Sequence, residues 1–143
     1  MKKLILLAFV SAFVFNSCRK DDDNNEPTIV GTWKLNKNIV KYGNGTSETI
    51  TPNSCEAKTN ITFANDGKYI DVGYSDFSGE CLNYTTIGTY FYNKQNKTLT
   101  ITDDETVDIA SLTSTELVVI NEKYDSDGDG KLDYLYTYLT KLQ

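Results

Sequence analysis

The chain of 143 residues carries 14 basic and 20 acidic side chains, a formal charge of −6, and no histidine. It is long enough for one domain with its own core and too short for two. Excess carboxylate argues against a nucleic-acid surface, and the lack of histidine removes the usual neutral-pH general base, the Ser-His and Cys-His nucleophile systems and the commonest zinc ligand.

Lys2 and Lys3 precede an apolar stretch over residues 4–15, too short to span a bilayer as a permanent helix. This is the layout of an export signal, expected over residues 1–17. The stretch ends in Phe15-Asn16-Ser17-Cys18, which resembles the lipobox of bacterial lipoproteins, where a small residue precedes the cysteine that becomes the lipidated amino terminus. The resemblance implies lipidation at Cys18. Acyl chains contributing ~0.8 kcal/mol per buried methylene then hold the protein stably on a membrane.

Residues 18–28 follow as an acidic tether. Arg19-Lys20-Asp21-Asp22-Asp23-Asn24-Asn25-Glu26-Pro27 contains nothing apolar to bury, so it is expected to be disordered. Its Lys20-Asp21-Asp22 triplet is similar to the signal that sends lipoproteins of the Bacteroidetes group to the outer face of the outer membrane. That implies display on the cell surface, with a periplasm-facing anchor as the alternative. Loss of Lys2 and Lys3 with the signal leaves 12 basic against 20 acidic residues, and an acidic body stands off anionic lipid.

From residue 29 to residue 143 the chain reads as one all-β domain. Short runs rich in Thr, Val, Ile and Tyr alternate with Gly, Asn and Asp clusters, and no window sustains helical spacing. Eight strands are expected, over 31–41, 58–64, 68–74, 85–92, 98–102, 105–109, 116–124 and 131–141. Two-residue alternation gives several of them one buried face: Trp33, Leu35 and Ile39; Ile61 and Phe63; Ile70, Val72 and Tyr74; Leu99 and Ile101; Val107 and Ile109. Turns such as Asn65-Asp66-Gly67 tolerate positive φ and join neighbours into an antiparallel, up-and-down meander. Closure into a barrel is favoured because it abolishes exposed edges; an open or sandwiched sheet is the other outcome.

Gly31-Thr32-Trp33 at the start of the first strand resembles the lipocalin Gly-x-Trp signature. Ile61-Thr62-Phe63 leading through Asp66-Gly67 to Tyr69, then Gly88-Thr89-Tyr90, Leu99-Thr100-Ile101 and Leu112-Thr113-Ser114-Thr115-Glu116-Leu117, follow in order. That succession is similar to the lipocalin-like domains of Bacteroidetes lipoproteins over roughly residues 29 to 143. The resemblance implies an antiparallel up-and-down eight-stranded barrel, in which Gly31 lets backbones approach and Trp33 plugs the closed end. It implies no particular ligand.

With Cys18 given to lipid, Cys55 and Cys81 remain as an even pair in an oxidising compartment, which favours a disulfide. Nearer the C-terminus, Asp125-Ser126-Asp127-Gly128-Asp129-Gly130-Lys131-Leu132-Asp133 places carboxylates at positions one, three, five and nine of a calcium-loop pattern, with glycine at six. Asp125, Asp127, Asp129 and Asp133, with the Lys131 carbonyl, are the expected ligands, in a site of about 0.1–1 mM affinity. The twelfth position is Tyr136 rather than Glu, which excludes an EF-hand, and a plain solvated turn satisfies the same residues.

Tyr134, Tyr136 and Tyr138 share one face of the last strand, where they either line a pocket or sit half-buried on the wall. The Asn-x-Thr triplets at Asn44, Asn60, Asn83 and Asn96 carry no weight behind a bacterial-style anchor. Three functions compete. The first, and preferred, is a noncatalytic, monomeric binding protein for a small lipophilic molecule, a glycan or a surface partner, with calcium as its sole candidate cofactor. The second is a carboxylate-dependent hydrolase, with Glu48, Glu56, Asp76 and Glu80 as candidates. The third is a structural or protein-interaction module with a calcium-stiffened hairpin.

Overall fold

The computed structural model describes residues 26–102 and 105–143. The expected signal, the lipidation residue Cys18 and the tether as far as Asn25 lie outside the described residues. Nine strands follow in order: β1 (Gly31–Lys41), β2 (Ser47–Ile50), β3 (Asn60–Phe63), β4 (Lys68–Phe77), β5 (Glu80–Asn93), β6 (Thr98–Ile101), β7 (Glu105–Leu112), β8 (Glu116–Tyr124) and β9 (Asp133–Lys141). A single 3-10 turn at Glu56–Lys58 precedes β3.

All neighbours pair antiparallel, and β1 pairs with β9, so β1 and β3 through β9 close an eight-stranded barrel. β2 is an additional short strand that the sequence reading did not separate from its loop. It occupies the edge of β1 over residues 38–41, while β3 takes the same edge over residues 31–34. β4 and β5 run longer than expected because they pair with each other out to Phe77 and Glu80.

The core gathers Ile29, Trp33, Phe63, Tyr69, Leu99, Val107, Ile109, Leu117, Val119 and Leu139. Two groupings from the sequence are corrected. The tight turn after β3, in which the Ala64 N–H donates to the Lys68 carbonyl at 2.8 Å, sets Phe63 opposite Tyr69. Phe63 faces inward, so Tyr69, Asp71 and Gly73 do too. Ile70, Val72 and Tyr74 take the outer face, with Ile70 43% exposed. One residue of register exchanges the two faces, and this strand has apolar residues on both.

The second correction is Ile39. A bulge between Leu35 and Lys37 shifts the β1–β9 register, so Leu35 lies opposite Leu139 whereas Ile39 lies opposite Tyr136. The extra residue inverts the alternation, and Asn38 and Val40 replace Ile39 on the inner face.

Gly31 and Trp33 occupy the closed end. The indole is fully buried, and the Lys141 ammonium stands 5.0 Å from its ring centre. Gly31 has a φ of +133°, and a side chain there would meet Lys141 Cε at 2.6 Å. That φ is one glycine adopts without strain, whereas the contact itself is with the flexible end of a lysine that can shift.

Candidate functional site

Above the packed end the barrel holds a cavity of about 320 Å³. Leu35, Ile61, Phe63, Leu99, Val107 and Leu139 supply an apolar floor and walls. Polar groups follow toward the rim, where Thr137 Oγ1 donates to Asn38 Oδ1 at 2.7 Å and receives Asn121 Nδ2 at 2.6 Å. Asn121 and Glu105, both exposed, mark where the cavity meets solvent. Asn121 sits at a register shift between Ile120 and Glu122 that bends the wall there.

Two carboxylates line this cavity, Asp71 from β4 and Glu105 from β7. Asp71 is half-buried, and burial pushes its pKa up from the ordinary carboxylate value. Sequence reasoning passed over it because Asp71 stands between Ile70 and Val72, which looked like the inner face. Once Tyr69 is inside, period-two spacing makes Asp71 an inward charge.

The acidic loop between β8 and β9 lies at the same end of the barrel as the β4–β5 and β6–β7 connections, since antiparallel alternation sends every second turn to one end. Carboxylate oxygens of Asp125, Asp127 and Asp133 come within 4.8 Å of one another. Asp129 does not join that group. It accepts the Lys131 N–H at 2.8 Å and faces the Lys131 ammonium at 3.9 Å.

The converging oxygens have structural duties. Asp125 accepts the N–H groups of Gly128 at 2.7 Å and Gly130 at 2.9 Å, holding both glycines at positive φ. Asp133 is fully buried, accepts Gly43 and Ser126 N–H groups at 2.8 Å each, and is also bonded by the Ser126 hydroxyl. The Ser126 hydroxyl, then the Gly43 and Ser126 amides, hold its pKa below the usual value. Asp125 Oδ2 and Asp133 Oδ1 accept one hydrogen bond each and keep a lone pair for a hard cation, whereas Asp125 Oδ1 and Asp133 Oδ2 already accept two.

The tyrosine strip is not a pocket wall. Tyr136 and Tyr138 are covered by the ammonium groups of Lys41 and Lys37, at 4.2 and 4.9 Å from the ring centres. Tyr134, Tyr136 and Tyr138 have the parity opposite to Thr137 and Leu139, which do line the cavity. They are therefore outer-face residues, and the pocket-lining alternative is set aside.

The carboxylates considered for acid–base work are dispersed. Glu48 accepts the Tyr42 hydroxyl, Glu56 the Asn53 N–H and Asp76 the Gly79 N–H, while Glu80 ends the β4–β5 turn. None of the four lines the cavity. Cys55 and Cys81 form the expected disulfide, with Cα atoms 5.5 Å apart. It fastens the segment before β3 to the start of β5.

No curated protein sequence matches the chain. Among solved structures, bovine odorant binding protein in complex with a selenium-containing odorant is similar at 20% identity and a TM-score of 0.42, covering 79% of this chain and 69% of that one. A bovine lipocalin allergen is similar at 16% identity and a TM-score of 0.43, covering 85% and 75%. A dog lipocalin allergen gives 15% and 0.41, covering 79% and 73%. The profile of the lipocalin-like domain matches residues 29–119, more than half of the sequence. The chain belongs to the lipocalin-like domain family.

Proposed function

We propose that this protein is a noncatalytic, monomeric binding lipoprotein, anchored through Cys18 to the outer membrane and displayed on the cell surface, whose barrel takes up a small lipophilic molecule or glycan. The observation that carries the binding reading is the cavity: about 320 Å³, apolar at its base and polar at its mouth, the pattern of a small-ligand site. A filled core would have favoured a structural module, and clustered carboxylates a hydrolase. The anchoring reading rests on the sequence around Cys18.

Native mass spectrometry of protein purified from its own host tests binding. A reproducible retained small molecule is expected, and only bare protein across several growth conditions would remove the reading. Palmitate labelling lost in Cys18→Ala, with protease cleavage of the domain on intact cells, tests the anchor. A domain cleaved only after the outer membrane is opened would point to the periplasmic face.

A second reading, a calcium-stiffened hairpin, is favoured by the convergence of Asp125, Asp127 and Asp133. It is compatible with the first, because the loop sits at the mouth and its stiffening would be structural.

A further inference from the structure

The cavity has an unbalanced chemistry. Its apolar base asks for a hydrocarbon or aryl body. Its polar lining consists of Asp71, Glu105 and neutral Asn and Thr side chains, and among the described residues no Lys or Arg contributes to it. The lysines that stand near barrel residues are turned elsewhere. Lys37 and Lys41 lie over tyrosines on the outer face, and Lys123 is paired with Asp108.

Asp71 faces the cavity between Tyr69 and Gly73, opposite Ile61 on β3 and Thr86 on β5. Among the described residues neither a hydrogen bond nor an ion pair reaches its carboxylate. Its oxygens still reach solvent, so a ligand N–H placed there would exchange water for a charge-assisted hydrogen bond in a partly desolvated site. A ligand carboxylate placed there would instead meet the like charge of Asp71 in a partly desolvated site, with Glu105 adding negative charge at the rim.

We infer that the cavity selects amine-headed amphiphiles, with the ligand nitrogen bonded to the Asp71 carboxylate at the rim and the apolar body below it. This rests on the reading of the cavity as a binding site. Two features outside the cavity agree with it. Asp125 and Asp127 extend the negative field around the same end of the barrel, and the whole chain carries −6. The raised proton affinity of Asp71 is the desolvation that a cationic head would offset.

The test is calorimetric titration of the full chain at pH 7 with three ligands of equal chain length, n-octylamine, n-octanol and n-octanoate, each below its aggregation limit. Octylamine is expected to bind at least about tenfold more tightly than octanoate, with octanol between them. Asp71→Asn should weaken octylamine roughly tenfold and leave octanol within about twofold. The ranking on the unaltered chain stands whether or not the variant folds.

Octanoate binding as tightly as octylamine would overturn the amine assignment while leaving the cavity a binding site. So would a folded Asp71→Asn that holds octylamine unchanged. If none of the three binds, the amine-amphiphile assignment fails, while the binding reading itself stands or falls on the native mass spectrum.

Discussion

The indole Nε1 of Trp33 donates a 2.7 Å hydrogen bond to the carbonyl of Ile29, and both residues are buried in the base of the barrel. The bond runs back along the chain by four residues, so it fixes the segment entering β1 across the closed end. Trp33→Phe keeps an aromatic but strands the Ile29 carbonyl and leaves a void where the indole was. A loss of about 3 kcal/mol is expected, read as a lower urea midpoint by circular dichroism. A loss under ~1 kcal/mol would mean that the base repacks freely.

The Cys55–Cys81 bridge closes a loop of 26 residues. In the chain-entropy model that contributes about 3.5 kcal/mol, so Cys55→Ser with Cys81→Ser should lower the unfolding free energy by that order. Amide exchange should speed first in residues 51–58 and at the β4–β5 tip. Uniform acceleration over the whole barrel would contradict a local fastening role.

Gly88 faces inward opposite Tyr69. A Cβ there would fall 1.9 Å from Thr102 Oγ1 and 2.7 Å from Tyr69 Cε1. Gly88→Ala is expected to cost about 2 kcal/mol by overpacking. Gly79, at φ +84° with nothing within 4 Å of a built Cβ, should cost only the backbone strain of about 1 kcal/mol. Thermal melts of the two variants side by side check the order.

Asp71 has a pKa raised by burial; the other carboxylate on its cavity wall is Glu105. The folded state therefore holds the Asp71 proton more tightly than the unfolded chain. Stability contributed by this group falls as pH rises through the window above the ordinary carboxylate value and is constant beyond it. Asp71→Asn should melt on the order of 2 °C higher than the parent at pH 7 and together with it at pH 3. A variant that is less stable at pH 7 would show that the carboxylate has a partner.

Calcium binding to the β8–β9 loop at a Kd of about 0.1–1 mM would raise the unfolding free energy by roughly 1.4–2.7 kcal/mol in 10 mM calcium. Asp127→Asn is the informative variant, since Asp125 and Asp133 also hold backbone amides, whereas Asp127 accepts only the Asp129 N–H at 3.2 Å. It should abolish the calcium shift with little effect in chelator. Equal stabilisation by magnesium and in the variant would reduce the effect to ionic strength.

Local sequence determined the class of this protein. β-branched and aromatic runs broken by Asn, Asp and Gly dictate short antiparallel strands, and the resemblance of Gly31-Thr32-Trp33 to the lipocalin signature implies a plugged end. The pairing of Cys55 with Cys81 is expected once Cys18 is assigned to a lipid anchor, and the disulfide itself is present. Which face of each strand looks inward was decided only in three dimensions, because alternation has period two and a single bulge or turn inverts it. The bulge after Leu35 moved Ile39 out and Asn38 in; the turn at Asn65-Asp66-Gly67 moved Ile70 out and Asp71 in. Charge on the cavity wall is therefore a property of register, and register is fixed by the closure of β1 on β9 and the turns between strands, which no single strand encodes.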